Sequence, residues 1–335
     1  MEKKPLVVVN GLVRKDAIAY LKEHVDVRQW TEKTVMPREV LKEWLIDADG
    51  LWCVRPLDVD GDLVKNAPNL KVIAQAAVGY DNVNIDELTV AGIPYGNTPG
   101  VLNETVAELA FTLIATASRR IIENANFVKD GRWAQRPSNI KGFDLSRRTL
   151  GIIGMGAIGV SISRRARAFG MTVVYHNRNQ RLDDKIHKTT YMELDDLLAI
   201  SDVVCVMAPL TDETYHMCDE AFFKKMKNTA LFVNVGRGPI VDTDALINAL
   251  KTGEIDYAAL DVTDPEPLPA DHPLLDVENG LIVPHIGSYT DRTRYDMSIL
   301  TADNIIAGDH KKPQMDVESA LEELKKAGVD LTDFD

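Results

Sequence analysis

The sequence predicts an α/β protein made of two doubly wound parallel-sheet domains. Three observations predict it. The chain has 335 residues, enough for two domains of roughly 150 residues each. Two separate series of short, near-continuously apolar runs alternate with helical patterns, as parallel strands covered on both faces do. A glycine-rich turn, Gly154-Met155-Gly156-Ala157-Ile158-Gly159, opens the second series.

In the first series, strand-like runs at 6–10, 25–30, 50–54 and 72–78 alternate with helical patterns at 15–23, 37–45 and 86–91. A long helical pattern follows from Asn103 to about Lys129, with Val106, Leu109, Ala110, Leu113 and Ala117 on one stripe. Residues 131–148 lack periodicity and read as a loop or arm. The second series starts at Thr149, with strands at 150–153, 172–175, 203–207, 231–235, 257–262 and 281–284. Six strands make a complete dinucleotide-binding sheet. A helix over 293–306 and an acidic tail close the chain. The expected organisation is a substrate domain of residues 1–100 plus 288–335, and a cofactor domain of residues 101–287 that includes the linking helix and arm.

Composition narrows the function. With 45% hydrophobic and 27% charged residues the chain is an ordinary globular one. Its 38 basic and 51 acidic residues leave a net charge of −13, which repels nucleic acid and anionic membrane surfaces. Cys53, Cys205 and Cys218 are too scattered for a disulfide framework or a zinc site, and no metal is expected. No apolar stretch is long enough to span a bilayer, and the N-terminal run Leu6-Val7-Val8-Val9 is too short for a signal peptide. The expected location is the cytoplasm.

The glycine turn follows a strand and opens a helix, the context in which GxGxxG binds a dinucleotide. Gly154 permits the tight turn, Gly156 lets the backbone approach a pyrophosphate, and Gly159 lets helix and strand pack closely. Beyond the next strand, where an NAD site usually carries an acidic residue for the ribose 2′-hydroxyl, the chain reads Asn177-Arg178-Asn179-Gln180-Arg181. Guanidinium groups there suit a 2′-phosphate. NADP(H) is therefore the expected cofactor, with NAD(H) possible.

Three further segments carry reactive side chains. They are Asn234-Val235-Gly236-Arg237-Gly238, Asp261-Val262-Thr263-Asp264-Pro265-Glu266-Pro267-Leu268, and Pro284-His285-Ile286-Gly287-Ser288. Arg237 and His285 each follow a strand, and Glu266 lies a few residues beyond one. The carboxyl ends of strands line the ligand crevice of such sheets. An Arg there clamps a carboxylate, a His exchanges a proton with an oxygen, and a Glu orients the His and favours its charged form.

Taken together, these segments resemble the D-isomer-specific 2-hydroxyacid dehydrogenase family, especially its glyoxylate/hydroxypyruvate reductase and 2-ketogluconate reductase branches. Further landmarks are Ala77-Val78-Gly79-Tyr80-Asp81-Asn82, Asn97-Thr98-Pro99-Gly100-Val101-Leu102, Glu104-Thr105-Val106-Ala107-Glu108 and Pro209-Leu210-Thr211. The resemblance implies a Rossmann cofactor domain and a flavodoxin-like substrate domain. It implies that Arg237, Glu266 and His285 are catalytic and that the amides of Val78 and Gly79, with Arg237, hold the substrate carboxylate. Cofactor contacts carried over are Met155 to Ile158, Pro209, Thr214, Val235, Asp261, His285 and Gly287, with Asp261 facing the nicotinamide amide. A homodimer is implied as well.

Two departures stand out. Arg55 occupies a position where many relatives carry a small or apolar residue; it either reaches a polar substrate tail or points to solvent or a neighbouring carboxylate. The tail from Gln314 to Asp335 runs past the usual end of the family, with Val317, Leu321 and Leu324 suggesting an amphipathic helix. The expected activity is NADPH-dependent, reversible reduction of a small 2-oxo acid bound in a cleft between the domains. The rivals are an NAD-linked dehydrogenase of the phosphoglycerate type and a non-catalytic, dinucleotide-sensing protein resembling corepressors.

Overall fold

The apolar runs form short parallel strands in a computed structural model, which describes residues 4–309. The chain divides into two units. The first comprises residues 4–76, 82–97 and 298–309, and the second residues 77–81 and 98–297.

The first unit holds a five-stranded sheet of β1 (Leu6–Val9), β2 (Asp26–Gln29), β3 (Gly50–Cys53), β4 (Val72–Gln75) and β5 (Tyr95–Gly96). Its order is β2-β1-β3-β4-β5, all parallel, the flavodoxin-like winding. Alternate residues serve opposite faces, as strand geometry dictates. Val8, Leu51, Cys53 and Ile73 enter one apolar cluster, while Val7, Val9, Trp52, Val72 and Ala74 enter the other.

The second unit holds β6 (Thr149–Ile153), β7 (Thr172–His176), β8 (Thr190–Tyr191), β9 (Val203–Val206), β10 (Leu231–Asn234), β11 (Tyr257–Leu260) and β12 (Gly280–Ile282). The order β12-β11-β10-β9-β6-β7-β8 makes seven parallel strands rather than the six expected. The extra one, β8, is a two-residue edge strand with no periodicity to read; the Tyr191 ring packs edge-on against Tyr175 of β7 at 5.7 Å. Leu231 and Val233 face one core and Phe232 the other, which accounts for the unbroken apolar runs.

The helix expected over 103–129 is two helices, Asn103–Ser118 and Ile121–Lys129. Arg120 between them turns left-handed at φ 49°, a conformation costing a non-glycine residue about 1–2 kcal/mol. Tertiary contacts offset that cost. The Arg120 guanidinium meets Asp256 at 2.9 Å and lies 4.0 Å over the Tyr257 ring. Phe143 donates its backbone N–H to the Ser118 carbonyl that a continuing helix would have used. Residues 131–148 are irregular apart from a short turn of 3₁₀ helix, Arg132–Ala134.

All three cysteines are free and buried, and burial pushes the Cys53 and Cys205 thiols up to about 12, so neither is a thiolate nucleophile. Among the described residues, no helix is long and apolar enough to cross a membrane. The tail from Gln314 lies outside the described residues.

Candidate active site

The glycine turn follows β6 directly. Gly154 has φ 96° and lies so close to the chain after β9 that a Cβ would come within 2.5 Å of the Ala208 nitrogen. Only glycine meets both demands. Gly156 ends the turn with open space where a Cβ would stand. The helix Ala157–Ala168 starts there without any side-chain cap. Its first N–H groups thus remain available to an anion at the positive end of the helix dipole, and the turn fits a dinucleotide pyrophosphate. Gly159 lies on the buried side of that helix, next to Ile152 of β6.

After β7, Asn177 and Arg181 are held by the protein itself. Asn177 accepts the Met155 N–H at 2.6 Å and donates back to the Met155 carbonyl, which ties the glycine turn to the next strand. Arg181 also turns inward. Its guanidinium chelates Asp183 at 2.7 and 2.6 Å and donates to the Met155 carbonyl at 3.0 Å. That contact holds Asp183 at about 2, well below an ordinary carboxyl. Its Nε and Nη2 hold the carboxylate and its Nη1 the carbonyl, so this guanidinium braces the glycine turn. Arg178 differs: it is exposed and makes no side-chain hydrogen bond or salt bridge among the described residues. The neighbouring 209–214 loop is pinned by Thr214, whose hydroxyl donates to the Pro209 carbonyl at 2.7 Å.

Three loops at the carboxyl ends of β10, β11 and β12 carry the reactive groups. His285 Nδ1 lies 2.5 Å from Glu266 Oε1. Partial burial opposes charge on Glu266, but the His285 hydrogen bond and charge, a Thr263 backbone bond and the Arg237 charge together hold its carboxyl below the usual range. His285 itself is left-handed at φ 50°, a strained backbone of the kind found at functional sites. Asp261, 2% exposed at the end of β11, sustains it. The Asp261 carbonyl accepts the His285 N–H at 2.8 Å, and its carboxylate accepts from Ile286 at 2.7 Å and Gly287 at 3.0 Å. Burial raises the Asp261 pKa despite those bonds. Asp261 thus acts on His285 by shaping its loop.

Arg237 is held on several sides. Its Nε donates to Asp81 Oδ1 at 2.9 Å and its Nη1 to the Gly236 carbonyl at 2.9 Å. Its Nη2 lies against Gly79, where any side chain would overlap it. Asn234, 1% exposed, fixes the loop by accepting the Gly236 N–H and donating to the Arg237 carbonyl. Val78 and Gly79 belong to the same unit as Arg237. Val235, 6% exposed, packs into the core beneath it. Asp81 and Asn234 had no assigned role in the sequence reading. An Asn ending a strand two residues before a Gly is a turn-forming signal that could have marked Asn234; no local pattern marks Asp81.

Arg55, in the first unit, donates to Asn82 Oδ1 at 2.8 Å. Asn82 bonds Leu57 and Gln75 in turn, and Cys53 bonds Gln75. The Asn82 partner of Arg55 is a side-chain amide.

Residues 111–287 match the family described as D-isomer specific 2-hydroxyacid dehydrogenase, NAD binding domain. The chain is 41% identical over 307 residues to a glyoxylate reductase of Korarchaeum cryptofilum, covering 91% of this chain and 92% of that one. A glyoxylate reductase structure from Paecilomyes thermophila superposes with a TM-score of 0.84 at 30% identity, covering 93% and 97% of the two chains. The NADPH-dependent glyoxylate/hydroxypyruvate reductase of Sinorhizobium meliloti, solved with NADP and malonate, gives 0.82 at 29% identity, covering 91% and 93%. With this fold, this turn and these matches, the chain belongs to the D-isomer-specific 2-hydroxyacid dehydrogenases, a family of NAD(P)-linked oxidoreductases.

Proposed function

We propose that this enzyme reduces a small 2-oxo acid of the glyoxylate and hydroxypyruvate class to the D-2-hydroxy acid, reversibly, with NADPH as the preferred donor. The observation that carries the reading is the His285–Glu266 pair at 2.5 Å, within the electrostatic reach of an Arg237 held by its own ion pair. Relatives named glyoxylate reductase support the substrate class.

The Gly154–Gly159 turn and the uncapped helix end would hold the dinucleotide phosphates, with Pro209, Thr214, Val235, Asp261 and Gly287 along its path. When bound, the nicotinamide supplies the hydride. Arg237, with the Val78 and Gly79 amides, binds the substrate carboxylate and aligns the carbonyl. His285 gives its proton to the carbonyl oxygen as charge develops there, and takes it back in oxidation. Glu266 keeps the imidazole oriented through its contact with Nδ1.

NADP preference rests on Arg178, the guanidinium after β7 that remains open. A charge-assisted contact to a 2′-phosphate contributes about 1.5–3 kcal/mol, or roughly ten- to a hundredfold in affinity. Arg178→Ala is expected to raise KM for NADPH by that factor and leave KM for NADH nearly unchanged. Initial rates with glyoxylate, hydroxypyruvate and 2-ketogluconate against both cofactors check this. A wild type that prefers NADH, or a variant that weakens both cofactors equally, removes Arg178 from cofactor selection.

A further inference from the structure

We infer that Asp81 is a positioning residue for Arg237, acting on substrate capture without touching substrate. The inference rests on the proposed function and adds to it a residue 156 positions away in the chain.

An arginine that must hold a carboxylate with one edge of its fork needs the rest of the guanidinium fixed, because its long side chain otherwise samples many rotamers. Here two donors are committed to the protein: Nε to Asp81 and Nη1 to the Gly236 carbonyl. The third nitrogen, Nη2, lies against the Gly79 backbone, at the segment expected to bind the substrate carboxylate. Gly236 and Asn234 hold the loop backbone, but Asp81 is the carboxylate that fixes the head group. The two side chains are 22% and 19% exposed, so the pair is partly shielded from solvent. Residues 77–81 group with the catalytic unit although β4, just before them, belongs to the other. Asp81 is the last residue of that group. Its pairing with Arg237 therefore also ties the Val78–Gly79 backbone to the guanidinium beside which those amides would work.

Asp81 has a second, opposing effect. Its negative charge weakens the attraction of Arg237 for an anionic substrate. If orientation dominates, removing Asp81 raises KM; if charge dominates, removing it lowers KM. Orientation is expected to dominate, because a carboxylate bound to a wandering guanidinium is not aligned for reaction.

The test compares Asp81→Ala, Asp81→Asn, Arg237→Ala and the Asp81→Ala/Arg237→Ala double variant in the full chain. The readouts are kcat and KM for glyoxylate, NADPH binding by fluorescence, and Tm. Asp81→Ala is expected to raise the glyoxylate KM and lower kcat, each about tenfold, with NADPH binding and Tm unchanged. Asp81→Asn keeps an acceptor for Nε and is expected to recover to within about threefold of wild type. In the Arg237→Ala background, Asp81→Ala is expected to cost nothing further, because the groups act as a unit. The inference is overturned by wild-type kinetics in Asp81→Ala, by a lowered KM, by additive losses in the double variant, by an Asp81→Asn no better than Ala, or by a loss of Tm that accounts for the defect. If wild type reduces none of the 2-oxo acids, the proposed function itself has failed. If wild type is active and Arg237→Ala is not, while Asp81→Ala behaves as wild type, only this inference has.

Discussion

His285→Ala is expected to lower kcat/KM for 2-oxo acid reduction by about 10²- to 10⁴-fold, the usual worth of a positioned general acid–base group. Binding of the nicotinamide cofactor should survive, because the phosphate-binding turn and the loop braces at Asp261 are untouched. The pH dependence carries a sign that can be worked out. Reduction consumes a proton, so its rate falls as pH rises. The contact with His285 is one of the causes that lower the Glu266 pKa, so the Glu266 carboxylate carries its charge beside the ring. Glu266→Gln keeps the size and an acceptor but removes the charge. The falling limb for reduction should therefore move to lower pH, and the rising limb for oxidation should move with it. Profiles of kcat/KM for wild type and Glu266→Gln in both directions decide this; superimposable profiles would separate Glu266 from the proton chemistry.

Arg237→Ala should be comparably severe. Losing two charge-assisted hydrogen bonds at about 1.5–3 kcal/mol each predicts a fall in kcat/KM on the order of 10³-fold. The loss should divide between a raised substrate KM and a lowered kcat, since the clamp acts in the ground state and in the transition state alike. Arg237→Lys should recover only a small part, because an ammonium keeps the charge but cannot reach Asp81, Gly236 and the substrate with one planar fork. Full recovery by Lys would mean that charge alone matters at this position.

Much of the molecule was legible in the chain. The strand Val203–Val206, and Leu231–Asn234 up to its terminal Asn234, are apolar and buried on both faces, and that burial is written directly into hydropathy. Gly154 was legible because φ 96° and a backbone neighbour demand glycine. The two-residue strands Tyr95–Gly96 and Thr190–Tyr191 were not, since pairing at a sheet edge needs no pattern. Nor was the break at Arg120, where Asp256 and Tyr257, more than a hundred residues on, overrule local helix preference.

By itself, then, the sequence determined the two parallel sheets, the phosphate-binding turn and the residue types at the strand ends, Arg237, Glu266 and His285 among them. These follow from hydrophobic period and turn chemistry, which act between near neighbours in the chain. The tertiary structure alone decided which partner each charged group takes. Arg178 and Arg181 sit three residues apart and look interchangeable in sequence, yet Arg181 is spent on Asp183 and Met155 while Arg178 stays open. Asp81 reaches Arg237 only because the loops after β4 and β10 meet within one unit. Hydropathy specifies what is buried. The partners of a guanidinium depend on where loops distant in sequence come to rest, and no local pattern encodes that distance.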